Sequence, residues 1–109
     1  MQIWINTRTQ NLKPKYGSIK GDLGSRTNQL HHMVTDINKN TGTGTGTGGA
    51  VGVNQDVNIF VSELESEDTN PDPNSGPNPS SIAYTVSNNR QGYIVCLEGS
   101  IQIETTSSN

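Results

Sequence analysis

The chain has 109 residues, of which 28% are hydrophobic and 5% aromatic, so its length suits one domain with a small core of marginal stability. The net charge of −3 gives no general reason to expect nucleic-acid binding, and no apolar run has the length of a membrane span. Asn, Thr, Gly and Ser make up 48 of the residues, and because these types favour turns, the composition argues against a helical bundle.

Charge is distributed unevenly along the chain. The first 26 residues carry one Asp and five basic residues, whereas the remainder carries two basic and nine acidic residues. The basic residues of the first stretch are Arg8, Lys13, Lys15, Lys20 and Arg26. We expect this stretch to pack against something acidic, such as the chain's own second half, and the alternative is an arm that binds a partner.

Two strands are predicted in the first half of the chain. Residues 2–6 alternate and are rich in β-forming side chains, which predicts a short strand, and residues 11–24 have the proline and glycines of a connection. A second strand is predicted at residues 30–35. Residues 38–49 are of low complexity, with a Thr-Gly repeat that predicts a mobile loop outside the core.

Four strands are predicted in the second half, where apolar residues alternate or form a short run: residues 57–63, 82–86, 92–97 and 101–104. The run at 92–97 is apolar on both faces, which predicts a buried strand. Gly99 follows Glu98 where a hairpin turn is expected and can supply a positive φ. An acidic turn and a proline-rich loop separate the first two strands. No segment predicts a helix of ten residues, so the expected fold class is an all-β sandwich.

Three sequence blocks resemble, in the same order, parts of the pirin-like bicupin family. The block MQIWIN…KPKYGSI at residues 1–19 resembles the segment that links the two cupin domains. NQDVNIFVSELE at residues 54–65 is similar to a strand pair of the second domain. RQGYIVCLEGSIQI at residues 90–103 is similar to the hairpin of the C-terminal cupin. Together the blocks cover most of the sequence that is predicted to be ordered.

The resemblance implies a cupin-type jelly-roll β-sandwich that is incomplete in this chain. Residues 1–29 correspond to an interdomain strand and linker, and residues 30–109 to a partial C-terminal cupin with loops at 38–49 and 70–80. Family members hold iron or another divalent metal in the N-terminal cupin, and the C-terminal cupin usually carries none. They include nuclear co-regulators of transcription and quercetin dioxygenases. Because Met1 falls at the domain junction, we expect a domain fragment.

No metal site is expected in this chain. The cupin motif needs two histidines, a glutamate and a glycine at fixed spacing, because alternate strand positions aim the ligands at one ion. When Gly99 is aligned with the glycine of the motif, the metal-ligand positions are occupied by residues that are not convincing ligands. The glutamate position holds Gly92, and the two histidine positions hold Thr85 and Ser87, or Val86 and Asn88 with the shorter spacing. His31 and His32 are neighbours on a predicted strand and point to opposite faces, so they are assigned a structural role rather than ligation.

Other features are also interpreted as structural. Cys96 lies within the predicted buried strand and is expected to be an inert thiol. Residues 44–49 match G-x-G-x-x-G but lack the strand and helix of a phosphate-binding loop. Trp4 and Tyr16 could stack on the bases of a single-stranded nucleic acid, but the acidic second half of the chain would repel its phosphates. Trp4 is therefore interpreted as a domain-interface residue. An acidic cluster without EF-hand spacing predicts a solvated turn: Glu63, Glu65, Glu67 and Asp68.

We therefore expect a non-catalytic C-terminal cupin domain that stabilises a metal-bearing N-terminal cupin. Two alternatives stay open, namely part of a quercetin-dioxygenase-like enzyme when joined to that half, and a stand-alone pirin-like interaction module. No catalytic, cofactor-binding or metal-binding residue is predicted in the chain itself. The expected partners are the N-terminal cupin, or a second copy through open strand edges, rather than nucleic acid or membrane. The single Cys96 favours the cytoplasm, and the resemblance allows the nucleus.

Overall fold

A computed structural model of the chain describes residues 1–39, 49–65 and 80–107. Within these ranges there are three strands and no helix: β1 His31–Asp36, β2 Val51–Val53 and β3 Ile59–Val61. The predicted all-β class is confirmed at this level. The loops predicted at 38–49 and 70–80 lie, except for residues 38, 39, 49 and 80, outside the described residues.

The three strands form one mixed sheet with β1 at its centre. β1 pairs with β2 in parallel, with Val34 opposite Val51, and with β3 in antiparallel, with His32 opposite Phe60. The β1–β3 register shifts between His32 and Val34, so one extra β1 residue forms a bulge. Jelly rolls are antiparallel, so this small mixed sheet supports the all-β class without supporting a jelly roll.

Asp36 ends the central strand through its own side chain. The backbone N–H of Asn38 donates to Asp36 Oδ1 at 3.0 Å, and the N–H of Lys39 donates to the Asp36 carbonyl at 3.0 Å. A short carboxylate side chain that accepts from the backbone two residues on is a turn-forming contact. Ile37 N–H still donates to the Val53 carbonyl at 2.8 Å, so pairing with β2 continues to the turn.

The interior of the described chain is polar. Its only buried residues are Thr35, 8% exposed, and Asp36, 2% exposed, and no described hydrophobic residue is buried. The Cα radius of gyration is 16.6 Å, whereas a compact domain of this length has about 13 Å. The small core expected from composition is therefore reduced to half-buried apolar side chains around β1.

Several predicted strands are wrong. Residues 2–6, 82–86, 92–97 and 101–104 belong to no strand. Segment 92–97 was predicted to be buried, but Tyr93 is 92% and Leu97 68% exposed. Among the described residues, 91–107 form no backbone–backbone hydrogen bond. These segments have β propensity, but no strand within the described ranges pairs with them. Without a neighbouring strand, their backbone groups lack the hydrogen bonds that hold an extended segment in a sheet. Gly99 does adopt the expected positive φ, at 75°.

Residues 1–17, here called the N-terminal arm, pass close to β2 at Gly17. A methyl group at Gly17 would stand 2.9 Å from Val51 Cγ1, closer than side chains pack. Gly17→Ala should therefore push the arm and β2 apart, at a cost of about 1 kcal/mol, the lower end for overpacking.

Amide hydrogen exchange across Val51–Val53 measures this effect. We expect exchange to be roughly fivefold faster in Gly17→Ala, which is what about 1 kcal/mol produces. Gly21→Ala is the matched control, since a methyl group there would stand 3.9 Å from its nearest neighbour, Arg26 Nη1. Equal exchange in both variants would contradict the close approach of Gly17 to β2.

Candidate functional site

An ion pair anchors the N-terminal arm to the end of β1. Arg8 Nη2 donates to Asp36 Oδ2 at 2.6 Å, while Asp36 Oδ1 accepts from the backbone of Asn38. Both carboxylate oxygens are therefore satisfied, which a buried charge requires. The Arg8 hydrogen bond, followed by the Asn38 N–H, lowers the pKa of Asp36 below its usual value.

Backbone and amide hydrogen bonds hold the same part of the arm against the turn after β2. The Arg8 N–H donates to the Asn54 carbonyl at 2.7 Å, and Asn54 Nδ2 donates to the Thr9 carbonyl at 3.2 Å. Gln55 Nε2 donates to the Asn6 carbonyl at 2.9 Å. The arm is thus fixed through residues 6–9, although it forms no strand.

Asp56 forms a second ionic junction beside the first. Its Oδ1 accepts from Lys39 Nζ and from Arg90 Nη1, each at 2.9 Å. The Lys39 and Arg90 hydrogen bonds lower the pKa of Asp56 to about 2, and the same contact raises the pKa of Arg90. Asp56 therefore ties the turn after β1 to the segment that begins at Arg90.

The second basic anchor of the first stretch is Arg26. Arg26 Nε donates to Glu63 Oε2 at 2.6 Å, and a parallel bridge pairs Thr27 with Glu63. Asn28 Nδ2 donates to Glu65 Oε2 at 2.9 Å. An open cavity of about 200 Å³ lies here, lined by Leu23, Thr27, Glu63, Leu64 and Glu65. The expectation that the basic first stretch packs against acidic residues is confirmed for Arg8 and Arg26. The partner of Arg26, Glu63, lies in the chain's second half as expected, whereas the partner of Arg8, Asp36, lies in the first half.

An aromatic row crosses β1 and β3. The His32 and Phe60 rings stack with centroids 4.5 Å apart, and Phe60 meets Tyr84 at 5.4 Å. His32 Nε2 hydrogen bonds with Asn58 Oδ1 at 3.0 Å, which supports the structural role expected of this histidine. His31 Nε2 is buried and has no hydrogen-bond partner among the described residues.

The positions aligned with the cupin ligands do not form a donor set. Thr85, Ser87 and Gly92 are exposed, and they offer neither an imidazole nor a carboxylate. In the ranges that the structure describes, no group of three His, Cys, Asp or Glu residues is close enough to hold a metal ion. The residues at these positions therefore do not fit a cupin metal.

Cys96 is exposed, so its predicted burial is wrong. The strand that was to bury it has no neighbour, and its thiol lies 3.4 Å from the Glu98 carbonyl oxygen and 3.6 Å from that of Gly99. In the acidic cluster, Glu63 is held by Arg26 and Glu65 by Asn28. The other two members, Glu67 and Asp68, lie outside the described residues. Most of the glycine pattern at 44–49 lies outside them as well.

The feature with the clearest functional character is the exposed aromatic surface of the anchored arm. Trp4 is 90% and Tyr16 96% exposed, one on each side of the residues that bind the sheet. The sequence-based interpretation of Trp4 as a domain-interface residue used no information on its exposure. The anchors Asp36, Asn54 and Asp56 were not identified from sequence, and the only signal was their position next to predicted strands.

Comparison of the chain with family models, with curated proteins and with solved structures finds no match. The described ranges also contain no helix with the length and apolarity needed to cross a bilayer.

Replacing Arg8 should release the arm. Arg8→Ala leaves the buried Asp36 carboxylate without its cation, so the contacts of residues 6–9 with Asn54 and Gln55 should weaken with it. Heteronuclear NOE values of residues 6–9 should fall toward those of a flexible chain. Lys13→Ala is the control because Lys13 forms no ion pair in the described chain. Rigid residues 6–9 in Arg8→Ala would contradict an ionic anchor.

Acid should act on the same contacts. Asp36 and Asp56 have lowered pKa values in the folded chain, so their stabilising contribution is present above their usual value of 3.8 and is lost as pH falls through the lowered values, which for Asp56 is about 2. Carboxyl-carbon NMR titrations should show both midpoints below 3.8, and the order of the arm should be lost as Asp36 becomes protonated. Midpoints at 3.8 for both groups would exclude the proposed pairing in solution.

Proposed function

We propose that this chain is a non-catalytic β-domain that packs against, and stabilises, a metal-bearing cupin domain, as the C-terminal half of a pirin-like bicupin does. The observation that carries the proposal is the anchored N-terminal arm, which holds Trp4 at 90% exposure. If the resemblance holds, the arm corresponds to the interdomain segment of such a protein. The proposed location is the cytoplasm, or the nucleus as in part of the family.

The physical state of the arm supports a docking role. Residues 6–9 are fixed by one ion pair and three hydrogen bonds to other parts of the chain, so part of the ordering entropy is lost before a partner binds. Exposed tryptophan and tyrosine are the side chains most enriched among residues that dominate binding energy. An anchored arm with Trp4 and Tyr16 on its surface therefore favours a protein partner with an apolar face.

The distribution of apolar side chains supports the same role. No described hydrophobic residue is buried, so the apolar area that a stand-alone domain removes from water is still available. The residues that occupy the cupin ligand positions, Gly92 among them, favour a packing role over a catalytic one. If the chain is instead part of a dioxygenase-like enzyme, every ligand of the metal ion must come from the partner domain.

The test uses a metal-loaded N-terminal cupin domain of a pirin-like protein as the probe. Trp4 is the only tryptophan, so 5-fluorotryptophan labelling of the full chain gives one ¹⁹F resonance that reports on the arm. We expect this resonance to shift on addition of the probe, with a one-to-one complex in sedimentation. Trp4→Ala should weaken the complex at least tenfold, as loss of a central aromatic anchor does.

Ile103→Ala is the matched control, because Ile103 is 57% exposed and lies outside the arm. It should bind the probe as the unaltered chain does. Absence of a complex, or equal loss of affinity in Trp4→Ala and Ile103→Ala, would reject docking through the arm. Quercetin turnover that appears only in the complex would favour the enzyme-part alternative.

A further inference from the structure

A second surface, remote in sequence from the arm, has a self-complementary pattern. Residues 91–97 are uncharged and exposed, and they lie between Arg90 and Glu98, whose charges are opposite. Among the described residues, the backbone of 91–97 makes no ladder hydrogen bond. An apolar segment of β propensity with free backbone groups is a template for another strand.

We propose that residues 90–98, here called segment 90–98, pair in antiparallel with the same segment of a second copy of this chain, with Ile94 on the two-fold axis. In that register Arg90 of each copy lies opposite Glu98 of the other, so both ends of the pair carry an ion pair. Ile94 faces Ile94, and Tyr93 faces Val95. The occupant is a second copy because an antiparallel two-fold pair matches each charge with its opposite.

Side-chain alternation places these pairs consistently on two faces. Arg90, Ile94 and Glu98 share one face, so the apolar centre is flanked by the two ion pairs. Tyr93 and Val95 share the other face, where an aromatic side chain opposite a β-branched one stabilises a strand pair. Displacing either strand by two residues removes both ion pairs and shortens the apolar overlap, so this register is favoured over its neighbours.

The local structure leaves segment 90–98 free to form this pair. Arg90 uses Nη1 on Asp56 and retains further guanidinium N–H donors for a carboxylate. No other described strand covers either edge of residues 91–97, so an edge is available to a second copy. Trp4 and the arm are not part of the pair, so this inference does not depend on the proposed function.

A disulfide tests the register in the full chain. Gly92 of one copy lies opposite Cys96 of the other, and directly opposed residues in an antiparallel pair stand about 4.5–5.5 Å apart at Cα, within disulfide range. Gly92→Cys fits locally, since a Cβ there would stand 3.4 Å from Val86 Cγ2, which is ordinary contact. Mild oxidation should yield a covalent dimer, and peptide mapping should link position 92 to Cys96.

Two controls make the result specific. Gln91→Cys places its thiol opposite Leu97, on the other face, and should cross-link far less. In a dimer of the unaltered chain, the two Cys96 residues are four strand positions apart, which is about 13 Å. The unaltered chain should therefore not form a disulfide. Absence of a disulfide in Gly92→Cys, equal yields in both variants, or Cys96 linked to Cys96 in the unaltered chain would overturn the proposal.

Charge reversal provides a test that needs no covalent link. Glu98→Arg or Arg90→Glu alone places like charges opposite each other at both ends, and each should weaken the dimer about tenfold in sedimentation. Mixing the two variants restores opposite charges at both ends and should restore the dimer, while Trp4→Ala should leave it unchanged. Failure of the mixture to recover affinity, or no loss in either single variant, would overturn the register.

Discussion

The ion pair between Arg8 and Asp36 is the contact on which the described structure depends. Asp36 is the most buried of the described residues, stands at the end of the central strand, and initiates the turn that follows it. Arg8 supplies the cation and, through its own backbone, fastens the arm to Asn54. A buried carboxylate without a cation would carry a desolvation cost that this domain has little apolar burial to offset.

Among the residues that the structure describes, polar contacts take the place of a hydrophobic core. Asp36, Asp56 and Glu63 each join segments far apart in sequence, and each partner is Arg or Lys. Individual hydrogen bonds add only about 0.5–1.5 kcal/mol net, so such a set fixes geometry more than it supplies stability. A fold of this kind gains most from any contact that covers its exposed aromatic and aliphatic side chains.

The sequence predicted two of the strands that pair in the sheet, and it also predicted strands in segments that pair with no described strand. The predictions at 30–35 and 57–63 correspond to β1 and β3, because each of these segments has a neighbouring strand with which it pairs. β2 was missed since its three residues follow a glycine-rich run and are too few to establish a periodicity. Segment 92–97 was placed in a core because periodicity measures the capacity to pair and contains no information on whether a partner strand is present.

The polar site was only partly predictable for a similar reason. Charge asymmetry indicated that the first stretch meets acidic residues, yet it did not select Asp36 over its eight acidic companions beyond residue 26. That choice depends on where β1 ends and on the turn made by Asn38, which are properties of the folded backbone. Exposure of Cys96 likewise followed from the missing neighbour and not from the thiol itself.

The separation in sequence between the arm and its anchors has a consequence for synthesis. Asn6 binds a residue 49 positions later, Arg8 one 28 positions later and Arg26 one 37 positions later. At elongation rates of about 5–20 residues per second, the arm waits roughly 2–10 s before Gln55 is made. The arm can therefore close on the sheet only after β1 and the turn that follows β2 have been made.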